Sequence, residues 1–396
     1  MIVSGNIISK LVTVTGIMLL ALVVSCTKVD FDEGSGGKRI VPVEFALTWS
    51  SDVTSSSKPA YVTVFMNRIQ DTTKHYVFKF ENGALVEKFG VTPFSDEVFE
   101  EEEVPENPNA PKVHNGHYSI AAIAATDYSD FLFEELDLYA DSLAYRMKDM
   151  YVTIPQLLKE EQLTQNYIDF NPMYPYLKNV RPFWYVRPSN NTFAFISSKE
   201  GTENTIRLEL MPLTKKIIFS VKTKVETGVT IQRCLASISG IPQQVQLMTG
   251  VVSERNTGKI AFDMAKTAAG RYEGYINSFG IIPASNPELL VGPAVLTVIF
   301  HVSVEDNGIT SNRIYYANYP VTDQIYEQEI MRRDNQTSGL ILNSAKSEYR
   351  IDVDMTHKEI TKEMVLSGNA EGYEEWLGGT EGSDDKNDNP GLNPEI

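Results

Sequence analysis

The residues best suited to catalysis or metal binding are few and widely spaced. Of the five histidines, only two lie close together, in His114-Asn115-Gly116-His117. Protein zinc sites need three or four ligands, and no cysteine accompanies this pair in the sequence. Asp352 and Asp354 alternate with apolar residues, which is more typical of a solvated strand face than of a glycosidase acid and base. We therefore predict no catalytic residues, no metal site and no cofactor.

Exposed aromatic rings offer a different chemistry, because they can stack on the rings of sugars. Trp49 falls on the apolar face of a predicted strand, so we expect it in the core. Phe183, Trp184 and Tyr185 follow one another in a segment rich in proline and aromatic residues, residues 173–188, which we interpret as a loop. This trio is a candidate ligand platform; the alternative is a plug over the end of a sandwich.

The N-terminus indicates lipid anchoring. Lys10 precedes the apolar stretch Leu11–Val24, which is short of the roughly 20 residues that a membrane-spanning helix needs. The stretch ends in Leu22-Val23-Val24-Ser25-Cys26, which resembles a bacterial lipobox. We predict that residues 1–25 are a signal peptide and that Cys26 carries the lipid that holds the protein on the outer membrane, exposed at the cell surface. Cys234 is then without a partner, and we expect it to be buried.

Residues 26–39 are predicted to be a flexible tether. Its acidic cluster, which ends at Glu33, resembles the surface-export signal of Bacteroidetes lipoproteins, although an ordinary solvated tether has the same composition. Gly34-Ser35-Gly36-Gly37 is typical of a flexible linker. Lys38 and Arg39 come directly before the first predicted strand, so Arg39 is a candidate site of proteolytic processing; the alternative is a solvated basic pair.

The charge distribution excludes one class of partner. The 396 residues carry a formal charge of −17. Two segments, residues 96–106 and 371–388, hold seven acidic residues each and supply most of this excess. Nucleic-acid binding requires a basic surface, so we expect no nucleic-acid partner. The run Glu100–Glu103 precedes three prolines, and we interpret it as an unstructured acidic loop rather than a calcium site.

Alternating hydrophobicity predicts a mainly β protein. In residues 40–49, Val41, Val43, Phe45, Leu47 and Trp49 share one face, as in a half-buried strand. Leucine, tyrosine and methionine recur at steps of three and four between residues 132 and 147, which predicts a short helical insertion in residues 127–165. Further strands are expected at 61–66, 76–80, 118–125, 192–196, 205–211, 215–225, 234–239, 258–264, 272–278, 295–305, 313–317 and 349–355.

The spacing of these strands predicts two β-sandwich domains. We place the first at residues 40–211, including the helical insertion, and the second at residues 212–355. Residues 356–396 are a C-terminal segment that ends in an acidic tail rich in Gly, Asp and Asn, typical of disorder.

Three segments resemble a known family. Met211-Pro212-Leu213-Thr214 opens an apolar strand, and Ala236-Ser237-Ile238-Ser239-Gly240 follows it. Both resemble the opening of the second domain in fimbrillin-type surface lipoproteins of Bacteroidales. Gly116-His117-Tyr118 likewise resembles the Gly-x-Tyr start of a strand in their first domain. The resemblance implies two transthyretin-like β-sandwiches behind a lipoprotein signal.

The same resemblance implies a structural rather than an enzymatic role. Family members are subunits or anchors of fimbriae, and a strand from one subunit fills a groove in the next. Cleavage after Arg39 would leave the strand at residues 40–49 in place, which favours a lipid-retaining anchor or accessory protein whose partners are other fimbrial or surface proteins. The alternative function is a carbohydrate-binding outer-membrane lipoprotein that captures glycans.

Overall fold

The computed structural model describes most of the chain from residue 40 onward. The described residues are 40–49, 59–69, 75–91, 111–134, 151–157, 174–186, 193–199, 201–247, 249–286, 288, 290–367 and 373–377. Within them the protein is mostly β, and the strands form two large curled sheets, so the predicted fold class is confirmed.

The first thirteen strands lie between residues 40 and 212. They are β1 (Ile40–Pro42), β2 (Glu44–Trp49), β3 (Tyr61–Arg68), β4 (His75–Glu81), β5 (Ala84–Val91), β6 (Lys112–His114), β7 (Gly116–Ala125), β8 (Leu132–Glu134), β9 (Tyr151–Thr153), β10 (Tyr176–Leu177), β11 (Phe183–Tyr185), β12 (Phe193–Ile196) and β13 (Thr205–Pro212).

The remaining strands follow in the C-terminal half. They are β14 (Lys215–Val225), β15 (Val229–Pro242), β16 (Gln244–Gln246), β17 (Thr257–Lys266), β18 (Tyr272–Ser278), β19 (Val295–Asp306), β20 (Ile309–Pro320), β21 (Met331–Arg333), β22 (Leu340–Leu342), β23 (Glu348–Ile360) and β24 (Tyr373–Leu377). The described helices are a 3₁₀ turn at Tyr128–Asp130, α1 (Thr322–Glu327) and α2 (Lys362–Ser367).

The N-terminal sheet has the order β2-β13-β11-β7-β3-β4-β5, and β12 pairs with β7 beside β11. Most of its pairs are antiparallel, but β2 runs parallel to β13. The sheet curls around a core of alternate side chains from these strands, completed by Val41 of β1, by Val43 between β1 and β2, and by Val113 of β6. The side chains that point into this core are the apolar residues of the alternating sequence pattern.

The C-terminal sheet has the order β23-β14-β18-β17-β15-β19-β20-β24. It folds into two layers because β17 and β18 pair only at the hairpin end, where Ala265 lies opposite Glu273 and Lys266 opposite Tyr272. Beyond those residues the two strands diverge, so β23-β14-β18 form one layer and β17-β15-β19-β20-β24 form the other. The buried side chains between the layers form most of the second core, which also includes Phe65, Ile123 and Phe183 of the N-terminal sheet.

Two hairpins use the turn chemistry that their sequences specify. Asn82 and Gly83 connect β4 to β5 with φ values of 49° and 84°. Asn307 and Gly308 connect β19 to β20 with φ values of 51° and 79°. Positive φ at both central residues is the type I′ turn, whose twist matches that of the flanking strands and which favours Asn-Gly.

The region predicted as a helical insertion is described only in part. Its residues 127–134 and 151–157 form the 3₁₀ turn and the short strands β8 and β9, so Leu132 begins a strand and not a helix. The rest of the predicted insertion lies outside the described residues. β9 pairs with β16, and β10 pairs with β17, so this part of the chain adds strands to the C-terminal half.

Candidate functional site

Two of the predicted site residues, Cys26 and Arg39, lie outside the described residues. The predicted platform is described, and it requires a correction. Phe183, Trp184 and Tyr185 form β11 in the interior of the N-terminal sheet and are 0%, 4% and 8% exposed. Trp184 packs edge-on against Trp49, with 6.2 Å between ring centroids. Rings buried on both faces cannot stack on a ligand, so these three residues belong to the core.

The residues considered for catalysis and metal binding form hydrogen bonds and ion pairs within the protein. His114 is buried, and its Nδ1 forms a hydrogen bond with the hydroxyl of Tyr76. Asp352 pairs with Arg271 at 2.8 Å, and Asp354 pairs with Lys222 at 3.5 Å. Among the described residues, no cluster of three or more histidine, cysteine or acidic residues is arranged to hold a metal ion.

The first strand of the described chain lies outside the N-terminal sheet, in a two-stranded sheet with β6. β1 pairs with β6, with Ile40 opposite His114 and Pro42 opposite Lys112. The chain then shifts, and β2 pairs with β13 from Glu44 opposite Thr205 to Trp49 opposite Leu210. β2 is the outermost strand of the sheet order. Val41 and Val43 are buried, whereas the three apolar residues of β2, namely Phe45, Leu47 and Trp49, are only partly buried.

The strand β23 occupies the corresponding place in the C-terminal sheet. It runs parallel to β14, and its inward residues are at most 1% exposed: Tyr349, Ile351, Val353 and Met355. Ion pairs join its outward residues to the neighbouring strands: Glu348 to Lys216, Arg350 to Glu273, Asp352 to Arg271, Asp354 to Lys222 and Glu359 to Lys224. Hydrogen bonds from Thr356 hold the pKa of Asp354 below its usual range.

Side-chain amides cover part of the free edge of β23. The backbone N–H of Asp352 donates to Oε1 of Gln324 at 3.0 Å. Gln328 contacts both backbone groups of Arg350, since its Oε1 accepts from the N–H and its Nε2 donates to the carbonyl. Both glutamines belong to α1 or its C-terminal end. They replace the hydrogen bonds that another strand would make, which is one way to protect an exposed edge.

The last described strand, β24, adds to the opposite end of the C-terminal sheet. It pairs in parallel with β20, from Tyr373 opposite Ile314 to Leu377 opposite Ala317, with an irregularity between Tyr316 and Ala317. The C-terminal segment predicted to begin at residue 356 therefore includes the end of β23, the helix α2 and a strand of the sheet.

A surface that the sequence interpretation missed lies on the outer face of β12, β7 and β3. Phe193 and Phe195 are 59% and 61% exposed. The ring of Phe195 lies 4.6 Å from that of His117. The sequence signal was the alternation Phe193-Ala194-Phe195-Ile196, which predicts a strand but does not reveal which of its faces meets solvent.

Comparisons with known proteins found structural relatives at low sequence identity. No family matches the chain, and no curated protein matches it. A candidate adhesin from Bacteroides ovatus aligns with a TM-score of 0.45 and 12% identity, covering 85% of this chain and 96% of that one. The fimbrial anchor protein Mfa2 from Porphyromonas gingivalis aligns at 0.39 and 13%, covering 79% and 91%. A fimbrial assembly protein from Parabacteroides distasonis aligns at 0.31 and 11%, covering 81% and 93%.

These structural relatives are proteins of the kind that the sequence resemblance names. At such low identities and TM-scores, however, the similarity is too distant to transfer a role to this chain. Among the described residues, no helix is long and apolar enough to cross a membrane.

Proposed function

We propose that the protein is a non-enzymatic cell-surface lipoprotein that serves as an anchor, accessory protein or subunit of a fimbria or another adhesive structure. Acyl chains on Cys26 hold it on the outer membrane, and residues 27–39 connect the lipid to the folded body. Its partners are other fimbrial or surface proteins. The lipobox-like sequence supports the anchoring, and the fimbrillin-type motifs support the assembly role.

The observation that carries the assembly mechanism is the position of β1 and β2. This segment directly follows the tether and closes one end of the N-terminal sheet. Beside it in the sheet, β13 turns Ile206, Leu208 and Leu210 into the N-terminal core, where they are 0–3% exposed. If β2 left the sheet, the backbone groups of β13 that face it would lose their partners, and part of this apolar surface would be uncovered.

A strand from another protein can replace the lost hydrogen bonds and cover the uncovered apolar surface. An added strand forms main-chain hydrogen bonds with the edge that it joins, and its alternate side chains fill the pockets below. Here those pockets are the places now occupied by Phe45, Leu47 and Trp49. We therefore propose that the partner supplies an extended segment with large apolar residues at every second position, and that this segment replaces β2.

A reversible crosslink between β2 and β13 tests the proposal. Ala46 lies opposite Arg207 in the pairing, and neither side chain is buried, so Ala46→Cys with Arg207→Cys places two thiols across the strands without altering the core. The native Cys234 does not interfere, because it is buried and burial raises the pKa of its thiol. Lys222→Cys with Asp354→Cys is the matched control, since it crosslinks parallel strands in the C-terminal sheet.

We expect the oxidised Ala46→Cys/Arg207→Cys protein to lose co-purification with fimbrial subunits of the native cell, and a reductant to restore it. The control pair should co-purify in both redox states. Equal co-purification of the oxidised and reduced Ala46→Cys/Arg207→Cys protein would show that β2 stays in place during assembly and would contradict the proposed mechanism.

The N-terminus of the mature protein tests the anchoring. Mass spectrometry of the terminal peptide from native cells should find acylated Cys26 as the dominant species. A dominant N-terminus at Ile40 would instead show processing after Arg39 and release from the lipid, which would favour a polymerising subunit over an anchor.

The alternative function, glycan capture, does not rest on the residues first predicted for it. Phe183, Trp184 and Tyr185 are buried, so they provide no surface for a sugar. A different face of the N-terminal sheet has the required chemistry.

A further inference from the structure

The outer face of the N-terminal sheet carries a small grid of side chains, here named the β12 face. One row runs across three strands from Phe193 through Ser119 to Asn67. The next row contains Phe195 and His117, which are paired across β12 and β7. Ile69 extends this row on the side of β3, since its backbone N–H donates to the carbonyl of His117 at 2.8 Å. Directly opposed residues in antiparallel strands share one face.

The fold fixes which side of these strands meets solvent. Residues between the grid positions point into the N-terminal core, where Tyr118 and Ile196 are 0% and 1% exposed. The register therefore turns Phe193, Phe195 and Ile69 outward, where they are 59%, 61% and 50% exposed. Large apolar side chains are normally scattered singly on a protein surface, whereas adjacent ones mark a binding site.

The β12 face combines apolar and polar side chains and contains no Lys, Arg, Asp or Glu. Two phenyl rings stand two residues apart on one strand, which separates their Cα atoms by about 6.6 Å. Beside them lie an imidazole, a hydroxyl and a carboxamide, on His117, Ser119 and Asn67. None of the six residues is a Lys, Arg, Asp or Glu, in a chain whose formal charge is −17. A neutral ligand fits such a surface better than an ionic one.

We propose that the β12 face binds a neutral glycan. The faces of aromatic rings carry partial negative charge and attract the C–H groups on one side of a pyranose ring. The neighbouring hydroxyl, amide and imidazole groups can exchange hydrogen bonds with sugar hydroxyls. Two rings in line on one strand suit a polysaccharide segment that lies along that strand.

The size of the face favours a glycan over a protein. A stable protein–protein interface takes about 20–30 residues from each partner, and this grid has six. Its position on a sheet face also separates it from the strand edge that the assembly mechanism uses. Glycan binding and strand exchange are therefore independent properties of the molecule.

Native affinity electrophoresis with soluble neutral polysaccharides tests the proposal. The gels contain xylan, mannan, starch or mixed-linkage β-glucan, and polygalacturonate serves as an acidic comparison. The test variant is Phe193→Ala/Phe195→Ala. The matched control is Tyr326→Ala, which removes an aromatic ring with a similar exposure of 60% from a distant helix. Because the altered side chains are exposed, both variants should retain the thermal midpoint of the wild type within a few degrees.

We expect at least one neutral polysaccharide to retard the wild type and the Tyr326→Ala variant, with at least about tenfold weaker binding by the Phe193→Ala/Phe195→Ala variant, a loss typical of removing central aromatic contacts. Retardation should persist at high salt, since no charge contributes. Retardation by none of the neutral polysaccharides, or equal retardation of the double variant, would overturn the proposal. So would self-association of the wild type that the double variant abolishes, because the face would then be a protein contact.

Discussion

The two sheets each end in a strand that runs parallel to its neighbour, yet the two strands are held in different ways. β23 buries four side chains to 1% exposure or less and is joined to neighbouring strands by ion pairs on its outer surface. The apolar residues of β2 are only partly buried. Its outer surface is joined to β13 by the hydrogen bond from Thr48 Oγ1 to the carbonyl of Leu208, 3.3 Å long.

The free edges of the two strands differ as well. Gln324 and Gln328 supply β23 with hydrogen bonds that a further strand would otherwise make. β2 follows β1 near the tether, and among the described strands it pairs only with β13. Parallel pairing is therefore common to both strands, whereas burial and edge coverage differ. We expect burial and edge coverage to decide which strand is fixed and which can be exchanged.

The largest effect on stability is expected when a buried side chain of β23 is truncated. Ile351→Ala should lower the free energy of unfolding by about 3 kcal/mol, through lost apolar contact and the cavity left behind. The residue is 0% exposed. Leu47→Ala in β2 should cost about 1–2 kcal/mol, because part of that side chain already meets solvent. Urea unfolding followed by circular dichroism measures both values, and equal losses would remove the distinction between the two strands.

An ion cluster around the buried Asp130, beside β11, should have the next largest effect on stability. Asp130 is 2% exposed and accepts hydrogen bonds from Arg181 and Lys178. Burial raises the pKa of Asp130, but these hydrogen bonds outweigh burial and lower it to about 2. Since the pKa in the unfolded chain is about 3.9, the cluster contributes stability above that pH and loses it as the pH falls toward 2.

Asp130→Asn should remove this contribution, which amounts to about 2 kcal/mol. The variant should be less stable than the wild type at pH 7, and the two should converge between about pH 4 and pH 2. Thermal unfolding across this pH range measures the convergence. A constant difference in stability across this pH range would mean that the carboxylate charge does not hold the loop at residues 178–181. That loop precedes β11 and supports the sheet that contains β2.

Removing the two glutamines from the edge of β23 should have a smaller effect on stability and a clear effect on association. Gln324→Ala/Gln328→Ala leaves backbone groups of Arg350 and Asp352 without these partners, at a cost of about 1 kcal/mol. The uncovered edge should then pair with a second copy, because unpaired edges template strand addition. Light scattering after gel filtration should show more dimer than in the wild type.

Gln336→Ala is the control for this variant, because Gln336 is exposed and lies on the loop between β21 and β22. It should leave both stability and association unchanged. If the double variant also behaves as the wild type does, the glutamines do not protect the edge, and β23 owes its fixed position to burial and ion pairs alone.

The sequence predicted the strands well where alternation is strong. Lys215–Val225 and Tyr272–Ser278 have the predicted bounds, and the strand predicted at 295–305 extends one residue further, to Asp306. Those segments alternate because one face meets a core. The short strands β8, β9 and β16 carry only three residues each and depend on pairing with distant parts of the chain, so local periodicity could not predict them.

The aromatic residues show where sequence reasoning reaches its limit. Phe183-Trp184-Tyr185 is a run without alternation, as expected of a short strand buried on both faces, but its surroundings of proline and tyrosine resembled a loop. Phe193 and Phe195 were predicted to lie in a strand, and only their pairing with Ser119 and His117 turns them outward. Whether an aromatic residue is exposed depends on how its strand pairs with distant segments of the chain. The local sequence pattern does not specify that pairing.

Hydrogen exchange followed by mass spectrometry tests the central claim most directly, because it measures how readily each strand opens in the intact protein. The peptides to compare contain residues 44–49 of β2 and residues 349–355 of β23. We predict that the slowest amides of β2 exchange at least about tenfold faster than those of β23, a difference of about 1.4 kcal/mol or more in the free energy of opening. Equal protection of the two strands, or stronger protection of β2, would contradict the claim that the N-terminal edge strand is the exchangeable one.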